Sequence, residues 1–146
     1  MVFRDYRSGD YPGLSQLWEE LDMSPRERGD TPEVIQQTIS MGGKLIVMEE
    51  PGTGTIAGSS WMTFDGRRLF LHHFGIQKIH QRKDWGMKLA IESLKFVKEK
   101  GFQVKLEVHR ENIAAVKLYE KCGFTSFPDY GLFMLRQPEE IDIEQF

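Results

Sequence analysis

A single cysteine, Cys122, is all the thiol chemistry the chain holds. Without a second thiol there is no intrachain disulfide and no cysteine-built zinc site, which points to a reducing compartment. Long apolar runs are missing too. No stretch approaches the ~18 residues needed to span a bilayer, and Met1–Arg7 lacks the apolar core of a secretory signal. A cytoplasmic protein without membrane partners is the expectation. The 6 prolines and 14 glycines are too few for a collagen-like or low-complexity chain. Nor does one sign of charge dominate: 19 Lys and Arg face 22 Asp and Glu, a net charge of -3. That balance lacks the basic excess of a nucleic-acid-coating surface, so no nucleic-acid partner is expected.

What is present is 146 residues, 40% hydrophobic and 28% charged, the size and composition of one globular domain. The periodicity changes several times along it. Val2 to Arg7 reads as a short strand. Asp10 and Pro12 then open a helix carrying Leu14, Leu17, Trp18 and Leu21 at i, i+3, i+4, i+7 spacing. Met23 to Asp30 reads as a loop, and Thr31-Pro32-Glu33 starts a second helix with Val34, Ile35 and Ile39, stopped by Gly42-Gly43. Three strands follow, Leu45–Met48, Thr55–Phe64 and Arg68–Ile76, the last two joined by the hairpin signal Asp65-Gly66.

The C-terminal half opens with a helix over Gly86–Lys100, with Met87, Ala90, Ile91, Leu94 and Val97 on one face. Val104, Leu106 and Val108 alternate with polar residues as in a half-buried strand. Asn112 caps a helix that turns Ala115, Leu118, Tyr119 and Cys122 inward. Leu132–Leu135 reads as a final strand, and Glu139–Phe146 as a frayed acidic tail. The expected order is βααβββαβαβ: one α/β (α+β) domain over residues 1–146, with a mixed, mostly antiparallel central sheet flanked by helices.

Two segments carry chemistry. The first, Ile76 to Gly86, is a strand end, a basic loop and a helix start. Unpaired N–H groups and the helix dipole at such a start suit a phosphate, and Arg82, Lys83 and Lys88 add positive charge around it. Alone, this loop reads first as a solvated basic turn. The second segment runs from Leu106 to Phe124. Within it Asn112 reads as an ordinary cap, Tyr119 as a core aromatic and Glu107 as a strand carboxylate.

Together the two segments resemble the GNAT superfamily of acetyl-CoA-dependent N-acetyltransferases. The family's loop, Q/R-x-x-G-x-G/A after a strand ending in Val or Ile, is matched by Ile76, Gln81 and Gly86, with Asp84 in the place of the first glycine. Its second signature, N-x-x-A-x-x-L-Y-x-x-x-G-F, is matched by Asn112, Ala115, Leu118, Tyr119, Gly123 and Phe124. Asp84 departs from the pattern, standing where a glycine is usual. A carboxylate there faces the pyrophosphate, although Asp tolerates positive φ better than most residues.

The resemblance implies acetyl transfer from acetyl-CoA to a primary amine, a small molecule or a protein N-terminus, without a metal. It places the acetyl group between two splayed strands, one ending at Ile76 and one containing Glu107. Backbone N–H groups near Phe74 and Ile76 hold the carbonyl in that arrangement. The loop Gln81-Arg82-Lys83-Asp84-Trp85-Gly86, with Met87, holds the pyrophosphate, while Asn112 and Ala115 touch the pantetheine side. Tyr119 matches the tyrosine that serves relatives as general acid toward the sulfur. Glu107 matches a glutamate used as base, with His72 and His73 as competitors; His80 and His109 read as surface residues. Relatives often form homodimers. A non-catalytic CoA-binding module of the same fold is the alternative that Asp84 raises.

Overall fold

Nearly every amphipathic stripe in the sequence finds a sheet to cover. The computed structural model describes residues 1–23 and 29–145. Its strands are β1 (Val2–Asp5), β2 (Lys44–Glu49), β3 (Ile56–Phe64), β4 (Leu69–Ile76) and β5 (Val104–Leu106). Its helices are α1 (Tyr11–Glu20), α2 (Pro32–Ser40), α3 (Trp85–Lys100) and α4 (Ile113–Lys121). The strands form one sheet in the order β1-β2-β3-β4-β5. Neighbours are antiparallel except β4 and β5, which run parallel because α3 carries the chain back across the sheet.

Helices cover both faces. On one, Leu14, Leu17 and Trp18 of α1 and Ile35 of α2 pack against Leu45, Val47, Ile56 and Trp61. On the other, Leu89 and Phe96 of α3 and Tyr119 of α4 pack against Ile46, Met48, Met62 and Leu71. This explains the unbroken apolar run Leu45–Met48: a central strand covered on both faces has no solvent side to alternate with. Each fully buried side chain of this size contributes roughly 1.5–3 kcal/mol of hydrophobic stabilisation.

Four sequence expectations come out differently. Asp10 precedes α1 but makes no side-chain cap there. Its carboxylate is taken by the Arg4 guanidinium, at 2.7 and 2.8 Å, and by the Arg7 N–H at 2.7 Å. On α3 the buried stripe is Leu89, Ala90, Ser93 and Phe96, and Ile91 is exposed. Ser93 can sit inside because its hydroxyl meets that of Ser60 at 2.7 Å and donates to the Leu89 carbonyl. The strand expected through Val108 stops at Leu106.

Finally, Leu132–Leu135 forms no strand. A strand exists only through its neighbour's backbone, and among the described residues this segment pairs with none. Its four apolar side chains are 60–95% exposed. The segment ahead of it is tethered by Arg110, whose guanidinium donates to the Pro128 carbonyl at 2.9 Å. Residues 139–145 of the acidic tail are exposed, and among the described residues the end of the chain holds two short 3-10 turns.

Candidate active site

The loop between β4 and α3 is built to leave backbone donors free. Gln81 anchors it, its side-chain amide donating to the Ile76 carbonyl at 2.9 Å. Arg82 and Asp84 both adopt the left-handed region, each with φ 60°. Asp84 thus takes the conformation for which a glycine is usual, with its exposed carboxylate making no helix cap. The first backbone bond of α3 is Lys88 N–H to the Asp84 carbonyl at 3.1 Å. Among the described residues, no backbone N–H from Arg82 to Met87 has a partner, the arrangement that accepts an anion. Arg82, Lys83 and Lys88 are exposed around it, and the Lys88 ammonium lies 4.2 Å from the Trp85 ring centre. Two acidic side chains fasten the turn leading in: Glu20 accepts from Lys78 N–H at 3.0 Å, and Glu50 lies 2.7 Å from the His80 ring.

Beside this loop the sheet opens. Pairing between β4 and β5 covers Leu69↔Val104 to Leu71↔Leu106 and no further, whereas β4 continues to Ile76 on β3. From His72 onward the two parallel strands therefore splay. β4 is also bulged: Ser59 faces Gly75 and Trp61 faces His72, so Ser60 alone stands opposite His73 and Phe74. Past the bulge, Gln77 N–H bonds the Ala57 carbonyl on β3. Strand alternation then turns the Ile76 N–H toward the splayed side.

Helix α4 closes the far side. The Asn112 side chain caps it by accepting from Ala115 N–H at 3.2 Å. Tyr119 lies inside, its ring meeting Phe74 at 5.8 Å and Phe124 at 5.6 Å, both edge-on. Burial pushes its phenol up to about 12. The hydroxyl makes no hydrogen bond among the described residues and, unlike that of Tyr6, is not sealed from solvent. Cys122, one turn on, is half-buried with its sulfur 4.0 Å from that of Met87, and burial raises its thiol.

The structure thus brings Phe74, Ile76, Gln81, Gly86 and Tyr119 into one neighbourhood; a Cβ on Gly86 would stand 3.9 Å from Ile76 and 3.7 Å from Leu118. Glu107 is exposed just beyond β5, at the mouth of the splay. His72 lies 2.8 Å from the Thr63 hydroxyl and stacks on Phe70. His109 is exposed, whereas His80 is not a free surface residue, being held by Glu50. Of the Met23–Asp30 loop, residues 24–28 lie outside the described residues. Trp18 and Trp61 stack in the core at 5.8 Å, and Tyr130 is exposed.

One constellation carries no sequence signal. His73 sits at φ 41°, a left-handed conformation uncommon outside Gly, Asn, Asp and His, at a cost of up to roughly 1–2 kcal/mol. Its Nε2 lies 2.9 Å from Asp30 Oδ2, both side chains nearly buried at 5% and 12% exposure. The N–H is not aimed at the oxygen, so the contact is a close approach rather than a directed hydrogen bond. Nothing in the spacing of two such distant residues announces their meeting.

A strand-end loop with free N–H groups, a bulged strand splayed from a parallel partner and a tyrosine-bearing helix behind it define an acyltransferase-type α/β domain. The sequence matches the family model for the acetyltransferase (GNAT) family over residues 11–124, and the chain belongs to that family. Solved structures agree in fold. An acetyltransferase of the GNAT family from Staphylococcus aureus Mu50 is similar with TM-score 0.73 and 16% identity, over 82% of this chain and 80% of that one. One from Streptococcus pneumoniae gives 0.70 and 22% identity, over 85% and 83%. Glucosamine-6-phosphate N-acetyltransferase from Arabidopsis thaliana gives 0.67 and 20%, over 92% and 95%. No curated protein matches the chain by sequence. Among the described residues no helix is long and apolar enough to cross a membrane.

Proposed function

We propose that this chain transfers an acetyl group from acetyl-CoA to a primary amine, which attacks the thioester directly. The observation that carries this reading is the splay of β4 from β5 beside a loop of unpartnered N–H groups, with Tyr119 behind Phe74. The free donors of Arg82 to Met87, with Arg82, Lys83 and Lys88 around them, suit a diphosphate. Asn112 and Ala115 flank the path of the pantetheine arm along α4. Acetyl-CoA supplies an activated acyl group joined to a good leaving group. The Phe74 and Ile76 N–H groups stabilise the negative charge that develops on the carbonyl oxygen.

The proton accounting assigns the two remaining roles. As the N–C bond forms and the C–S bond breaks, the amine gives up a proton and the sulfur gains one. Glu107, at the open mouth of the splay, accepts the first directly or through a water. Tyr119 donates the second: the phenol is protonated at neutral pH, and among the described residues its hydroxyl has no competing acceptor. Both small amines and peptide N-termini are the acceptor classes of this reading.

The test is acetyl-CoA-dependent thiol release with a panel of amines, comparing wild type with Tyr119→Phe and Glu107→Gln. Each variant is expected to lose about 10²–10⁴-fold in kcat while still binding CoA in a calorimeter. An active wild type whose two variants keep its rate removes these roles. CoA binding without transfer to any acceptor supports a non-catalytic binding module instead.

A further inference from the structure

We infer that Asp30 and His73 are positioning residues for acyl transfer: the pair locks the β4 bulge that aims the Phe74 and Ile76 N–H groups into the strand gap. The inference rests on the transferase reading above and adds to it a component that the motifs do not contain.

A non-glycine residue at φ 41° persists only where its surroundings hold it. His73 is held from three elements. Its ring packs between Trp18 of α1, at 4.4 Å, and Trp61 of β3, at 5.3 Å. Its carbonyl accepts from the Ser59 hydroxyl at 2.8 Å, and that hydroxyl accepts from the Trp18 indole N–H at 2.9 Å. Its Nε2 meets Asp30, directly ahead of α2, at 2.9 Å. Asp30 is itself placed by Tyr11, whose hydroxyl donates to the Asp30 carbonyl at 3.0 Å, and by its neighbour Thr31, which caps α2.

The next residue along β4, Phe74, faces the opposite side of the sheet and meets Tyr119. Consecutive side chains at the bulge therefore grip the α1–α2 layer and the α3–α4 layer, and the backbone between them carries the donors. A buried polar contact with poor alignment is a weak source of stability, and among the described residues His73 Nδ1 has no hydrogen-bond partner. Geometry, rather than fold stability, is what this pair supplies.

The experiment uses the full chain as wild type, Asp30→Asn, His73→Asn and the double variant, with acetyl-CoA and the best amine of the panel. Asn is chosen at 73 because it tolerates the left-handed backbone. Each single variant is expected to lower kcat by about tenfold or more, leave the KM for acetyl-CoA and the calorimetric affinity for CoA unchanged, and match the double variant. Isotope-edited infrared spectra of bound acetyl-CoA labelled at the carbonyl carbon give a second readout. The thioester stretch is expected to move to lower frequency in wild type and back toward its solution value in the variants. Asp30→Glu, which keeps the charge, retains part of the rate. Single variants within twofold of wild type with an unshifted stretch, or losses that simply multiply in the double variant, overturn the inference and leave the transferase reading standing. A wild type that binds CoA but transfers nothing overturns both.

Discussion

Phe74 and Tyr119 meet edge to face across the interface between sheet and helix, ring centroids 5.8 Å apart. This contact turns the phenol into part of the core while leaving its hydroxyl at the edge. Burial raises the folded-state pKa to about 12 from the ordinary 10. A raised pKa means that the folded state holds the proton more tightly than the unfolded chain. The resulting stabilisation is complete below pH 10 and is lost as pH climbs toward 12, at about 2–3 kcal/mol in all. Tyr119→Phe has no such proton to lose. Denaturant titrations at pH 8 and pH 11.5 are expected to show wild type losing more stability than the variant between the two values. Parallel losses would mean that the phenol is not desolvated as described.

Asp84 offers a test in the direction of improvement. It spends backbone energy to occupy φ 60°, and its carboxylate stands beside donors suited to an anion. Asp84→Gly removes both costs: glycine takes the left-handed region freely, and a like charge next to phosphate disappears. The variant is expected to bind CoA about three- to tenfold more tightly, with unchanged or slightly raised thermal stability. Asp84→Ala separates the two effects, because it removes the charge but keeps the strained φ. Calorimetry and a melting curve on the three proteins decide; unchanged affinity in Asp84→Gly would place the phosphates away from this turn.

Much of this architecture was readable in the sequence, and the reasons differ by element. Leu14, Leu17 and Trp18 announced α1 because a surface helix must repeat its apolar face every 3.6 residues. Thr31 and Asn112 announced α2 and α4 because a short side chain accepting a backbone N–H is local chemistry. Asp10 misled for the complementary reason: Arg4, brought near by the fold, outcompetes the helix for its carboxylate. Leu132–Leu135 shows β-strand composition without a strand, since pairing depends on a neighbouring backbone rather than on the segment itself. The loop at Gln81–Gly86 and the cap at Asn112 were visible as motifs. The bulge at His73, the end of β5 pairing at Leu106 and the meeting of Asp30 with His73 arise from tertiary contacts that no local pattern encodes.

The competition that took Asp10 from the helix has its own pH signature. Hydrogen bonds from Arg4 lead the causes that hold the Asp10 carboxyl below the usual carboxylate range, while Arg4 is held above its ordinary value by Asp10 and Glu49. A depressed carboxyl pKa stabilises the fold above its unfolded value of 3.8, and that contribution fades as pH falls through the folded value. Asp10→Asn is expected to cost about 1–3 kcal/mol at pH 7, because it leaves the mostly buried Arg4 with one partner fewer. The difference from wild type shrinks as pH drops below 3. Urea unfolding at pH 7 and pH 2.5 measures both.

The brace between Glu50 and His80 links the β2–β3 turn to the loop that carries the free N–H groups. Glu50 Oε1 lies 2.7 Å from His80 Nε2, and the His80 N–H of the backbone closes the short turn on the Gln77 carbonyl at 2.9 Å. Neither side chain lies in the row of donors from Arg82 to Met87, so any effect on binding must pass through the placement of that row. Glu50→Gln keeps the shape of the side chain but removes its charge. Since a partly exposed pair of this kind contributes at most about 1 kcal/mol, the expected outcome is a CoA affinity two- to fivefold weaker. Glu50→Ala, which removes the oxygens as well, is expected to weaken binding further while leaving the far-ultraviolet circular dichroism unchanged. Equal affinities in wild type and both variants would show that the loop holds its shape without the brace, through Gln81 and the left-handed turns alone.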